Sequence, residues 1–213
     1  MCACFDCRLI RLSCVNSYNK GSLGCSYTSV VLENTHEQME HIENETALNN
    51  VDINDINREE YSTFNLNILS LNVCGLKGKI TTPEFLETIN KYSIIGFQET
   101  KLDDTDFIQL NNFEMFFKNR KQMNTRKSGG LAVAIHKNIT KYVTYIESDC
   151  NLVLWFKIDK HLVKTDSDIL FGVTYVPPES SDYADNDPFL SIQVELNEYL
   201  RTYNHVCLFG ERL

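Results

Sequence analysis

The segment at residues 65–73, NLNILSLNV, decides how this chain is read. Leucine, isoleucine and valine fill it, and Gly75 follows shortly after. That composition predicts a buried strand with a polar residue, Asn72, at its end. Working outward, Thr82 and Pro83 predict the cap and first turn of a helix with Phe85, Leu86, Ile89 and Tyr92 on its apolar face. SIIGFQE (93–99) reads as a second buried strand. GGLAVAIH (129–136), YVTYIE (142–147), LVLWFKI (152–158) and ILFGVTYV (169–176) read as further strands. Asp187 and Pro188 predict another helix start, with Phe189, Ile192, Leu196, Tyr199, Leu200 and Tyr203 on one face. HVCLFG (205–210) reads as the last strand. Helices separate strands at two places and the middle is all strand, so the expectation is a mixed α/β sheet protein, not a uniform βαβ array.

The flanks differ from this body. Residues 33–62 hold nine acids and one base, Arg58, and are rich in Asn and Glu. Such a segment cannot bury enough apolar surface to offset its ordering entropy, so it reads as a disordered acidic linker. Residues 1–32 form a Cys-rich head carrying five of the eight cysteines: Cys2, Cys4, Cys7, Cys14 and Cys25. No paired CxxC spacing and no nearby histidine supports zinc there, and palmitoylation of Cys2, Cys4 or Cys7 has no stronger signal. The head is left unassigned and expected to lack fixed structure. The body runs over residues 63–213.

The net charge of −9 comes mostly from the linker, so it does not exclude a polyanionic ligand of the body. No apolar stretch approaches the roughly 18 residues of a membrane span. Asp6, Arg8 and Arg11 interrupt any signal-peptide core, which predicts an intracellular protein, nuclear or cytoplasmic.

Chemistry is expected at strand ends. Asn72, Glu99, Tyr175 and Glu211 each end a predicted strand and precede a loop. A carboxylate such as Glu99 at a buried strand end needs a partner or a metal. Taken alone, Asn72 reads as a turn residue and Tyr175 as a core tyrosine. Together, an amide, a tyrosine and two acids gathered at one end of a sheet suit Mg²⁺ and phosphoester cleavage. The run KNRKQMNTRK contributes Lys118, Arg120, Lys121, Arg126 and Lys127 without an acid among them. It reads equally as a solvated loop or as a phosphate-backbone contact. Lys101 stands near Glu99, Asp103 and Asp104, where it would meet phosphate or pair with an acid.

NILSLNVCGLKGK, IIGFQETKL, SGGLAVAIHKNI and VTYVPPESS closely resemble motifs of the endonuclease/exonuclease/phosphatase superfamily, nearest to the endonuclease domains of non-LTR retrotransposons. The resemblance covers residues 66–210. It implies a two-sheet α/β sandwich of the deoxyribonuclease-I-like type, a Mg²⁺ or Mn²⁺ cofactor, and DNA as partner and substrate. It implies metal and phosphate binding for Asn72, metal binding for Glu99 and a contact to the scissile phosphate for Tyr175. It also makes DNA contact the better reading of the basic run. The family's next motif is Gly-Asp-Phe-Asn, whose aspartate activates the attacking water, followed later by a Ser-Asp-His motif. Here Gly210 is followed by Glu211, Arg212 and Leu213. The expectation is therefore an incomplete sandwich lacking its C-terminal part, through truncation or a mis-spliced gene model. One sheet face should then be uncovered, and DNA cleavage should be very weak or absent. Two other readings stand beside this one: a non-catalytic remnant that binds metal or nucleic acid weakly, and an interaction protein using the head.

Overall fold

Runs of leucine, isoleucine, valine and phenylalanine build two sheets that close on each other. The computed structural model describes residues 2–5, 11–15, 27–33, 66–120, 127–179, 181 and 187–212, with backbone alone before residue 66 and at 211–212. The strands are β1 (Cys2–Phe5), β2 (Arg11–Val15), β3 (Tyr27–Glu33), β4 (Leu66–Asn72), β5 (Ile94–Gln98), β6 (Phe113–Lys118), β7 (Leu131–His136), β8 (Val143–Ile146), β9 (Val153–Ile158), β10 (Ile169–Val176) and β11 (His205–Arg212). Among the described residues one sheet has the order β2-β3-β4-β5-β7-β6 and the other β1-β11-β10-β9-β8. β4 runs parallel to β5, and β10 parallel to β11; the remaining pairs are antiparallel. The two-sheet α/β sandwich expected from the sequence is the fold of this chain.

The inner faces meet in one apolar layer, with Ile68, Ile94, Val133 and Ile135 opposite Phe156, Phe171, Val173 and Phe209. Phe171 packs between Phe156 and Phe209, with ring centroids 5.4 and 4.6 Å apart. Gly96 of β5 lets the sheets approach closely here. A Cβ at that position would lie 2.5 Å from a methyl carbon of Val173 on β10.

Helices and a loop cover the outer faces of β4, β5, β9 and β10. Leu69, Leu71, Ile95 and Phe97 pack under Phe85 and Ile89 of helix α2 (Pro83–Ile89), which follows the short helix α1 (Leu76–Lys79). Leu102, Ile108 and Leu110 of the following loop complete that layer. A second short helix, α3 (Lys160–Val163), precedes β10. On the other sheet, Val153, Trp155, Leu170 and Val206 pack under Ile192 of α4 (Pro188–Tyr199). Glu195 fastens α4 down by accepting hydrogen bonds from Trp155 Nε1 at 2.8 Å and Cys150 N at 3.1 Å. An uncovered face is expected from the sequence; among the described side chains Phe117 of β6 is 38% exposed, while β4, β5, β9 and β10 are covered. The helix starts match the prediction at Pro83 and Pro188, and Asp187 caps α4 through Leu190 N. Thr82 stands at the cap position of α2 without a side-chain cap bond. Phe189 and Leu200, expected on the buried face of α4, are 49% and 40% exposed.

The head departs from expectation. β3 pairs with β4 from Tyr27↔Leu71 to Leu32↔Leu66, and β1 pairs with β11 from Cys2↔Phe209 to Phe5↔Val206. The boundary near residue 63 therefore does not separate an unstructured head from the body, because strands from the head extend both sheets. Tyr27, Thr28, Val30 and Val31 are the β-branched and aromatic types that fit a strand. Residues 34–62, the expected linker beyond the end of β3, lie outside the described residues.

Candidate active site

Along β4 the inward side chains change from Ile68 to Ser70 to Asn72, along β5 from Ile94 to Gly96 to Gln98, and along β10 they end at Tyr175. The sandwich is thus apolar inside and polar at one mouth. Gln98 Nε2 donates to Ser70 Oγ at 2.6 Å, which satisfies the first buried polar layer. Above it the chain leaves both parallel strands in strained turns.

Cys74, Glu99 and Lys101 all adopt positive φ, at 46°, 52° and 53°, as does Gly75 at 110°. A non-glycine residue costs energy in that region and persists only where its surroundings fix it. Here the backbone does so. Val73 N, Gly75 N and Leu76 N donate to the carbonyls of Gln98, Glu99 and Thr100 at 3.0, 2.8 and 2.9 Å. Thr100 N and Lys101 N donate in turn to Gly130 O and Gly129 O at 3.3 and 2.8 Å. Three loops are laced together, and the lacing sets the direction of the Glu99 side chain.

That side chain is 12% exposed and sits among polar neighbours. Tyr175 Oη donates to Glu99 Oε1 at 2.8 Å. Cys74 Sγ lies 3.5 Å from Glu99 Oε2 and 3.3 Å from Asn72 Oδ1, and Cys74 N donates to the same Asn72 oxygen at 3.1 Å. Lys101 Nζ stands 3.7 Å from Glu99 Oε2. Burial, with the Glu99 hydrogen bond and charge behind it, pushes the Tyr175 hydroxyl well above its ordinary pKa. The phenol therefore keeps its proton and remains a donor. Arg120 lies over the Tyr175 ring, with Cζ 5.3 Å from its centroid.

Asn72, Glu99 and Tyr175, from three strand ends, are thus brought together around Cys74 and Glu99. Glu211 joins them through its backbone, since it is the register partner of Tyr175 across β10 and β11. Its side chain lies outside what is described. Among the described residues no three His, Cys, Asp or Glu side chains gather to hold a metal. The hard oxygens of Glu99 and Asn72 are of the type Mg²⁺ takes, but the Cys74 thiol stands between them, 3.5 Å from Glu99 Oε2 and 3.3 Å from Asn72 Oδ1, and an ion held by both would displace it. Mg²⁺ takes one or two protein carboxylates and keeps several waters.

The basic run resolves differently from its sequence reading. Lys118 Nζ donates to Ser148 O and Oγ, Cys150 O and Val153 O at 3.1, 3.1, 2.7 and 2.9 Å. An ammonium has three donors, and four acceptors already surround this one. Lys118 is therefore a tie between the two sheets and not a nucleic-acid contact. Lys118→Met is expected to lower stability by about 1–3 kcal/mol, because buried acceptors lose their partner. The salt dependence of any DNA binding should not change. Denaturant unfolding and a salt titration check the two halves, and an unchanged stability with a reduced salt slope would restore the contact reading.

Lys127 is likewise occupied. It pairs with Asp103 at 2.7 Å and with Asp106, which Lys77 also meets at 3.0 Å. The Lys127 ammonium, with Thr105 behind it, holds the Asp103 carboxyl down to about 2. Lys101 pairs with Glu99 and not with Asp103 or Asp104. Lys121 and Arg126 lie outside the described residues. Of the five basic residues, Arg120 alone is placed at the mouth among the described residues. Sequence reasoning missed two neighbours, Cys74 and the Ser70–Gln98 pair. The alternation along β4 and β5 carried a signal for Ser70 and Gln98, and nothing in the sequence marks Cys74 as a residue at positive φ.

No protein-family model matches this chain. No curated protein matches it either. Solved structures that it resembles include a 3′-5′ exonuclease (NExo) from Neisseria meningitidis, at 13% identity and TM-score 0.46, covering 66% of this chain and 55% of that one. Others are a 3′ phosphatase NExo from Neisseria bound to product DNA hairpin, at 13% and 0.45, and an AP endonuclease from Archaeoglobus fulgidus, at 18% and 0.35. Each of these two covers 65% of this chain and 54% of the solved one. The chain spans about half the length of the solved structures it resembles.

Proposed function

We propose that this chain is a divalent-metal-dependent phosphodiester hydrolase domain of the endonuclease/exonuclease/phosphatase type, acting on DNA with weak intrinsic cleavage. The observation that carries the reading is the meeting of Asn72, Glu99 and Tyr175, from three separate strand ends, at one polar mouth of an apolar sandwich. A buried core has no need of a carboxylate there, and a carboxylate held in a strained turn is a feature of functional sites.

In this reading Glu99 and Asn72 would hold Mg²⁺ or Mn²⁺, which would supply Lewis-acid polarisation of a phosphoryl oxygen. Tyr175 keeps its proton and orients Glu99 or a phosphate oxygen by donation. Water attacks phosphorus, the ester P–O bond breaks, and the departing alcohol takes up a proton. Hydrolysis leaves a phosphate monoester and a free hydroxyl. The family aspartate that would draw the proton from water is replaced here by Glu211, one methylene longer, beside Tyr175 in register. That substitution is the reason to expect slow turnover. The motif resemblance favours a retrotransposon origin.

The test is supercoiled-plasmid nicking by the purified chain. Slow nicking that needs Mg²⁺ and disappears in Glu99→Ala is the expected result. Nicking that survives Glu99→Ala unchanged would remove Glu99 from the site and the proposal with it.

A further inference from the structure

Arg120 has a built seat. Its guanidinium lies over the Tyr175 ring at 5.3 Å, and the same tyrosine donates to Glu99 at 2.8 Å. The arm passes against Gly129, where a Cβ would stand 2.8 Å from Arg120 Cδ, 2.9 Å from Nη1 and 3.0 Å from Cζ. Gly129 also has φ +65, a conformation that favours glycine. Its carbonyl accepts from Lys101 N, inside the lacing that orients Glu99. A flat cation is thus held against an aromatic face on a rigid support, one residue removed from the candidate metal carboxylate.

Resting on the hydrolase reading, we infer that Arg120 holds the phosphate that meets Glu99 and Tyr175, and is not a contact to DNA backbone away from the site. The guanidinium carbon stands 5.3 Å from the Tyr175 ring centroid, and its Nη1 is buried beside Gly129. Five donors let it serve a protein partner and a phosphate together. Its planar fork matches two phosphate oxygens, which a lysine ammonium does not. Among the described residues of the same run, Lys118 and Lys127 are held by protein acceptors away from Tyr175, and Arg120 is the one placed at its ring.

The experiment compares wild type with Arg120→Met, which keeps an apolar arm against Gly129 and Tyr175 but removes the charge. Two probes are used. One is a short fluorescein-labelled duplex, followed by anisotropy across a salt series without divalent metal. The other is inorganic phosphate in Mg²⁺, followed by ³¹P NMR. Arg120→Met is expected to weaken duplex binding about tenfold, lower the salt slope by about 1 and abolish the phosphate effect. Duplex and phosphate binding equal to wild type overturns the inference, while Glu99-dependent nicking still stands or falls by itself. Should Arg120→Met not fold, Arg120→Lys decides. A folded Lys variant that keeps the salt slope and loses most phosphate affinity supports the fork, and one that binds phosphate like wild type overturns it. A wild type that binds phosphate through Arg120 and no duplex retains the inference and removes DNA. A wild type that binds neither overturns both.

Discussion

Glu99→Gln is expected to weaken Mg²⁺ binding at least tenfold while leaving the fold intact. Glutamine keeps the length of the side chain and an oxygen that accepts from Tyr175 Oη, so the contact at 2.8 Å is retained. The charge is lost, and the Oε2 position becomes an amide NH₂ that cannot ligate a metal. Two unit charges 4 Å apart at an effective dielectric of about 20 interact by about 4 kcal/mol. Half of that still exceeds the roughly 1.4 kcal/mol that makes a tenfold change. No second described carboxylate stands at the mouth to compensate, because Asp103 and Asp106 are tied to Lys127. Calorimetric titration of both proteins with Mg²⁺ checks this, and equal affinities would show that the metal, if bound, sits elsewhere.

The second large effect runs in the opposite direction. Glu211→Asp combined with Leu213→Asn restores the acid and amide of the Gly-Asp-Phe-Asn motif that the sequence resembles. A displacement of about 1 Å in a reacting group can cost on the order of a hundredfold in rate. The extra methylene of Glu211 moves its carboxylate by roughly that amount. The double variant is therefore expected to nick plasmid at least tenfold faster than the unmodified chain, with Mg²⁺ still required. Residues that act as one unit are not additive, so the double variant is the informative one and either single change alone is expected to give less. A rate that stays at the unmodified level, in a protein that binds Mg²⁺ normally, would show that residue 211 does not position the water.

Much of this was legible from strand ends. Asn72, Glu99 and Tyr175 could be paired with one another because a buried apolar run that ends in a polar residue leaves that residue at the sandwich rim. The register Tyr175↔Glu211 follows from two parallel strands of similar length. What could not be read is where long side chains reach. Lys118 closes β6, and its acceptors lie 30 to 35 residues further along, on the loop before β9 and at its first residue. A run of bases without acids looks solvated in one dimension, yet Lys127 finds Asp103 and Asp106 across the fold. Arg120 owes its place to Gly129 and Tyr175, neither of them adjacent in sequence. The strand β3 was readable from its β-branched residues, but the acidic stretch beyond it made the whole front of the chain look separate from the body. The covered outer faces have a simpler cause: α2 and α4 each bring apolar residues to the sheet beneath them, Phe85 and Ile89 in one case and Ile192 in the other.

The proposed function requires that Glu99 and Asn72 bind a divalent ion. The most direct measurement is anomalous diffraction from crystals of the chain grown with Mn²⁺. A peak is predicted about 2 Å from a Glu99 carboxylate oxygen, with Asn72 Oδ1 on the same ion, and no peak there in Glu99→Gln. Crystals in which Mn²⁺ orders only at other carboxylates, or in which the peak at the mouth persists unchanged in Glu99→Gln, would contradict it.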